Sequence, residues 1–359
     1  MELINATRMV AGYTMGMEPS GRELLVVVIK GTFKLPKPGE DVRLHEEQLP
    51  LVMADTFTGE PGFSAPHYEV DFAPRKTHCD VLLLGSAYAP GGRPATRVPV
   101  GLRIGNLTKT FAVVGDRHWD AGISGIRATQ PEPFTVKPIS YDAAFGGVDQ
   151  EHEDPKKHAA YMLNPVGRGF RKQLKSEWVD GKPLPNTEEL NRSVTRPNVD
   201  YHPMAFGPIG RGWAQRALYA GTYDDKWLAD HFPFLPPDFN ERYYQAAPLD
   251  QQFPVPLGGP EVSLGNLTPD GQRTFTLPNF EAPINVFPKR GGPEEYKATF
   301  DTIVFEPDHE RFTMSWRVAR PLKKSMHEIA RVLVGKEGKE WWQQRKQVAI
   351  NAPMPMVTA

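Results

Sequence analysis

TRVPVGLRI (96–104) is the stretch that decides the fold class. Val98, Val100, Leu102 and Ile104 fall on one side of an extended chain, and Arg97 and Arg103 on the other. A period of two is the mark of a strand with one buried face. Outward from it, residues 109–114 read as another strand that stops at Gly115-Asp116. LLVVVIKGTFKL (24–35) is β-branched, apolar and closed by Pro36, so it reads as a strand too. The run 81–84 is apolar throughout and reads as a buried strand, with a turn at Ala89-Pro90-Gly91-Gly92. Residues 1–120 are therefore expected to form an N-terminal β unit, an antiparallel sandwich or a partial barrel.

Beyond residue 120 the pattern dissolves. Prolines recur between 131 and 208 with glycines among them, yet Phe134, Tyr141, Phe145, Tyr161, Phe170, Trp178, Tyr201 and Phe206 are interspersed. Disordered linkers are poor in aromatics, so 121–260 is expected to be a loop-rich but ordered middle. Its structural motifs are expected at Phe145-Gly146-Gly147 and at Asn164, Pro165 and Gly167, where glycine permits positive φ or close backbone approach. Short helices are expected at 213–220 and 226–232, the second capped by Asp224-Asp225 and stopped by Pro233. Residues 261–320 then read as C-terminal hairpins packing with the rest, turning at Pro269-Asp270-Gly271 and at Pro307-Asp308. Met326, Ile329 and Leu333 suggest a helix over 325–334, so 321–359 is expected to hold a C-terminal helix and a frayed tail.

Composition narrows the function classes. The chain of 359 residues has 36 prolines and 32 glycines. Proline removes a backbone donor and breaks helix interiors, which argues against a long helical bundle and for short elements joined by ordered loops. The formal net charge is -1, so no basic footprint for nucleic acid is visible. The single cysteine, Cys79, has no intramolecular disulfide partner. The opening residues lack the basic-then-apolar pattern of a secretory signal, and the longest aliphatic run, 24–29, is far too short to span a membrane. A cytoplasmic protein with no nucleic-acid or membrane partner is expected.

Catalytic motifs are scarce. Gly122-Ile123-Ser124-Gly125 is followed by Ile126, not by the glycine that completes a nucleophile elbow. There is no phosphate loop, no dinucleotide fingerprint and no His-Glu-x-x-His. Three polar clusters come closest to chemistry. Asp116, His118 and Asp120 alternate about Trp119, and on a strand they would point one way. His152, Glu153, Asp154 and His158 are dense but lack helical metal-ligand spacing. Asp200 and His202 form a smaller pair. Each reads better as strand-end or loop polarity than as a site, so no catalytic residue, metal ligand or cofactor is expected. The aromatics and arginines of 206–245 are the stronger signal, because interfaces favour Trp, Tyr, Phe and Arg. Trp213, Arg216, Tyr223, Asp224 and Trp227 are the expected partner-binding residues.

Several blocks resemble a known family. VVVIKGTF (26–33), EVDFAPRKTHCDVLLLGSAYAPGG (69–92), VVGDRHW (113–119), YDAAFGG (141–147), NPVGRGF (164–170), FGPIGRGWAQRALYAGTYDDKW (206–227), FPFLPPDFNERYYQAAPLDQQ (232–252) and GNLTPDGQRTFTLP (265–278) are similar to the motif blocks of domain-of-unknown-function family 2169. The likeness covers roughly residues 5 to 320. It departs at Lys76-Thr77, where related sequences often read Lys-Pro. The resemblance implies an accessory role in bacterial type VI secretion: a chaperone or adaptor that binds a secreted effector or its PAAR-like region and helps load it on the VgrG spike. It supplies no catalytic residue. Two other functions stay open on the sequence, a hydrolase working through Asp116, His118 and Asp120 or through the 152–158 cluster, and a structural spike component secreted with the effector.

Overall fold

The computed structural model describes residues 1–123, 125–254 and 258–337. Its principal strands are β1 (Glu2–Asn5), β2 (Val10–Met17), β3 (Glu23–Lys34), β4 (Cys79–Leu83), β5 (Arg97–Ile104), β6 (Leu107–Val114), β7 (Glu261–Gly265), β8 (Gln272–Thr276), β9 (Pro283–Pro288), β10 (Glu294–Lys297), β11 (Thr299–Glu306), β12 (Arg311–Pro321) and β13 (Ile329–Val334). The protein is mainly β, as the alternating stretches require.

Two large sheets pack face to face. One has the order Gln252–Phe253, β4, β11, β12, β3, β2, and the other Thr187–Glu188, β6, β5, β7, β8. Neighbours in both are antiparallel except β4 and β11, which run parallel with Val81 opposite Ile303. The alternation read at 96–104 holds: Val98, Val100, Leu102 and Ile104 are buried, Arg97 and Arg103 exposed. Across the interface Phe275 of β8 sits 5.6 Å from Phe312 and 6.2 Å from Phe305, centroid to centroid. Tilted and edge-on aromatic pairs at such distances add to the gain from burial alone. Among the described residues the sheets remain open rather than closing into a barrel. A third sheet, β1-β13-β9-β10, adds Ile284, Val286, Ile329, Val332 and Val334 to the same core.

The middle of the chain is ordered loop with a core of its own. Trp119, Phe145, Tyr161, Val179, Leu184, Val194 and Tyr201 pack together, and the Trp119 indole N–H donates to the Gly169 carbonyl at 3.1 Å. Asn164 ties the two loop motifs together. Its Nδ2 donates to the carbonyls of Tyr141 (2.8 Å) and Phe145 (3.1 Å), and its own carbonyl accepts from Gly147 at 2.9 Å. Gly146 (φ 150°) lies so close that a Cβ there would collide with the Asn164 carbonyl. The short stretches Phe145–Gly146 and Arg168–Gly169 pair in parallel beside it.

One element is corrected. The helix expected at 325–334 is a single 3-10 turn over Met326–Glu328, capped by Ser325, followed by strand β13. β13 pairs antiparallel with β9 and parallel with β1. The apolar spacing of Met326, Ile329 and Leu333 fits a helix, but Ile329, Val332 and Val334 are β-branched and two waiting strand edges decide the outcome. The frayed tail expected at the C-terminus lies outside the described residues, as does Ser124 of the glycine-flanked motif.

Candidate binding surface

The segment 206–245 is anchored at its base and exposed at its tip. At the base, α1 (Ala214–Ala217) carries Arg216, which is 3% exposed. Its guanidinium donates to the Ile209 carbonyl (2.9 Å), to the Tyr243 carbonyl (2.8 Å) and to Glu69 Oε1 (2.7 Å). Arg211 meets the same Glu69 oxygen at 2.7 Å and Asp55 at 2.7 Å. Burial alone would push the Asp55 carboxyl up. Hydrogen bonds from Arg211 and the Val70 amide outweigh it and hold the group below its ordinary value. Trp213 is buried, edge-on to Tyr141 at 5.2 Å. Gly210 is required beneath it, since a Cβ there would collide with the indole.

Beyond this base, residues 218–239 form a largely exposed lobe whose Phe234 ring lies against Gly21 of the β2–β3 turn. Asp224 Oδ1 accepts from the Trp227 amide at 2.8 Å and caps α2 (Asp225–Asp230). Asp238 closes the loop by accepting from the Thr222 amide (2.9 Å) and hydroxyl (2.7 Å). Trp227 is the hub. Its ring is edge-on to Tyr223 at 4.7 Å and to Phe232 at 5.7 Å, and its indole donates to the Phe234 carbonyl at 2.9 Å. Tyr223, Leu228, Phe232 and Phe234 are all exposed, Phe232 to 62%, and Leu218 stands exposed just before them. Exposed apolar side chains scattered singly are ordinary, whereas a contiguous group rimmed by polar residues marks a contact surface. Within the same segment Asp224, Asp225, Asp230 and Asp238 are exposed, against Lys226.

The five expected partner-binding residues thus separate. Trp213 and Arg216 are buried and hold the lobe; Tyr223, Asp224 and Trp227 belong to it. Leu218, Leu228, Phe232 and Phe234 were missed as surface residues. The signal for the last two was available in FPFLPP (232–237), where proline crowding leaves the aromatics no regular element to pack within.

The polar clusters do not converge. Asp116 pairs with Lys137 at 2.9 Å and accepts from Asn186 at 3.0 Å, and these bonds lower its carboxyl pKa. Asp120 pairs with Arg127 at 2.9 Å, while His118 is exposed. His152 Nδ1 accepts from the Asp154 amide, Asp154 caps the turn Pro155–Lys157, and His158 bonds the His152 carbonyl. This cluster is a turn that holds itself together. His202 faces Glu189 at 3.4 Å on the surface, and Asp200 is exposed beside it. Cys79 is buried, which pushes its thiol pKa up.

A cavity of about 260 Å³ lies on the outer face of the six-stranded sheet, roofed by residues 49–71. Lys30 meets Asp71 at 2.9 Å, Lys76 meets Asp80 at 2.6 Å, and Arg317 meets Asp301 at 2.6 Å. Arg317 also donates to the Asp71 and Ala73 carbonyls, tying the roof to β12. Each of these three cations has its own carboxylate, so together they offer no spare charge to draw in an ion.

Residues 20–317 match the model of the family described as an uncharacterized protein conserved in bacteria (DUF2169). The chain belongs to that family. No curated protein and no solved structure matches it.

Proposed function

From the family and the exposed lobe, we propose that this DUF2169 protein is a non-enzymatic adaptor that binds a type VI secretion effector, or its PAAR-like region, and helps load it on the VgrG spike from the cytoplasmic side. The observation that carries a binding role is the Trp227 cluster. A group of exposed aromatics, tied down by Arg216 below and by Asp224 and Asp238 at its ends, is costly to leave in water unless a partner covers it. Little of it has to be ordered on binding, which lowers the entropic cost of association. The exposed aspartates of the segment favour a partner with basic residues around an apolar centre. Among the described residues no helix is long and apolar enough to cross a membrane, which agrees with a role away from the bilayer. By mass action, a partner bound at a hundredfold excess over its dissociation constant gains about 2.7 kcal/mol of stability.

The test is co-expression of this chain with its host's effector, PAAR-like protein and VgrG, followed by affinity capture. Capture of at least one of them by the wild type, lost in Trp227→Ala at unchanged melting temperature, supports the proposal. Deletion of the gene is expected to lower effector abundance and effector-dependent killing while the apparatus still fires. Unaltered effector levels and delivery would refute the adaptor role.

A further inference from the structure

Strand β2 forms one border of the six-stranded sheet. It pairs with β3 along its whole length, from Val10 opposite Lys30 to Met17 opposite Glu23, without a register shift. Among the described residues, no hydrogen bond reaches the backbone of residues 10–17 from the other side. In an antiparallel pair alternate residues turn their N–H and C=O groups away from the partner. β2 therefore presents a row of free donors and acceptors.

Natural sheets blunt such borders with charge, proline, bulges or brevity. The other borders of the three larger sheets do so. β10 reads EEYK, β1 has four residues, β8 has five with Arg273 among them, and the remaining two borders are two residues long. β2 reads VAGYTMGM, with no charge and no proline. Tyr13 and Met15 are 39% and 53% exposed. They stand opposite Val27 and Leu25, so they continue the inner, apolar face of the sheet past its cover. The other face is filled: a Cβ at Gly12 would meet Leu51 at 2.5 Å, and one at Gly16 would meet Pro74 at 3.3 Å.

We propose that β2 is a self-pairing border, where a second copy of this chain adds its own β2 antiparallel about a two-fold axis at Thr14 and joins two six-stranded sheets. Directly opposite residues in an antiparallel pair either both bond across it or both turn away, so residues of like parity must face each other. An axis at Thr14 satisfies this and sets Tyr13 against the second copy's Met15, twice by symmetry. Gly12 then faces Gly16, Thr14 faces Thr14, and no charged side chain from either strand opposes another. The strand thus matches itself in shape, polarity and charge. The contact is isologous and closes on itself as a dimer. An eight-residue border buries less than the roughly 1,000 Å² of a firm interface, so the dimer is concentration-dependent. The inference does not rest on the adaptor reading.

Sedimentation over a wide concentration series tests it. The mass is expected to rise from the 40.2 kDa monomer toward twice that value. Tyr13→Lys/Met15→Lys sets lysine against lysine twice and should weaken association at least about tenfold, with unchanged circular dichroism because both positions are exposed. Tyr13→Glu/Met15→Lys sets opposite charges face to face only in the Thr14-centred register, and should restore a salt-sensitive dimer. Thr14→Cys should oxidise to a covalent dimer, Cys79 being buried. A wild type that stays monomeric at every concentration overturns the proposal. So does a dimer indifferent to the lysines, or a charge-paired variant no better than the double lysine.

Discussion

Residues 141–206 and 213–239 are built from the same materials, aromatics among glycines and prolines, and they end in opposite states. The first buries Tyr141, Phe145, Tyr161 and Tyr201 about the Asn164 junction and Phe206 in the main core; the second leaves Tyr223, Phe232 and Phe234 in water. The difference lies in polar satisfaction. The earlier stretch has a buried amide that bonds the carbonyls of its own turns, together with glycines that let backbones touch. In the later one, apart from the Trp227 indole bond to the Phe234 carbonyl, the polar bonds serve the base and the ends of the loop, and its aromatics stay exposed around Trp227. Aromatic density by itself does not separate a core from a surface; the placement of hydrogen-bonding partners does.

The largest expected effect comes from the base of the lobe. Arg216→Ala removes one member of a buried ion pair and leaves Glu69 with Arg211 alone, which should cost about 3–5 kcal/mol. Chemical denaturation gives the value, and a double-mutant cycle with Glu69→Ala should show strong coupling. A loss under about 1 kcal/mol, the range of exposed pairs, would mean that the base is no firmer than the tip. Next comes Asn164→Ala. The Phe145 carbonyl loses its side-chain donor and the Tyr141 carbonyl keeps only the Ala144 amide, for an expected loss of about 2–3 kcal/mol, with proteolysis opening first between residues 141 and 170. A neutral outcome would erase the distinction between the two regions.

Legibility in the sequence follows the same physics. Period-two strands such as β5 were readable because alternation depends only on near neighbours. So were the Asp224 cap and the hairpin turns, which are local. The parallel pairing of β4 with β11 was not, since it joins residues more than 200 positions apart. β13 was misread because its strand state comes from β9 and β1, not from its own spacing. At the candidate surface the block 206–245 stood out, yet Trp213 and Arg216 could not be separated from Trp227. Burial there is set by Glu69 and Tyr141, which lie far away in the chain.

A smaller effect is expected from acid. The Asp55 carboxyl is depressed below its ordinary value of 3.8 by Arg211, against the opposing push of burial. A carboxylate depressed in the folded state contributes its full stabilisation above the unfolded value. That contribution is lost as pH falls through the lower folded value. The lobe base should therefore loosen only below about pH 4, by less than about 1 kcal/mol given the partial exposure of the pair. Hydrogen exchange at residues 209–216 between pH 5 and pH 3 reads this directly. Asp55→Asn should flatten the acid response; an equal response in the variant would assign it to another carboxyl.

The smallest expected effect on stability, and the sharpest on the comparison, is that of Phe232→Ser. Phe232 is 62% exposed and makes its ring contact with Trp227, itself only half-buried. Little apolar area returns to water when it is removed, so the melting temperature should stay within the shift of an ordinary surface change, about 0.5 kcal/mol. Phe145→Ser provides the contrast. That ring is fully buried against Tyr161, Phe170 and Tyr201, and placing a hydroxyl in the resulting hole should cost at least about 3 kcal/mol. If Phe232→Ser instead destabilises the protein as Phe145→Ser does, the lobe is a satellite core and its aromatics serve folding. If the fold is indifferent and partner capture is lost, the exposed ring serves recognition. Two phenylalanines in similar sequence surroundings would then differ in role because one sits above a buried amide and the other beyond the last buried arginine.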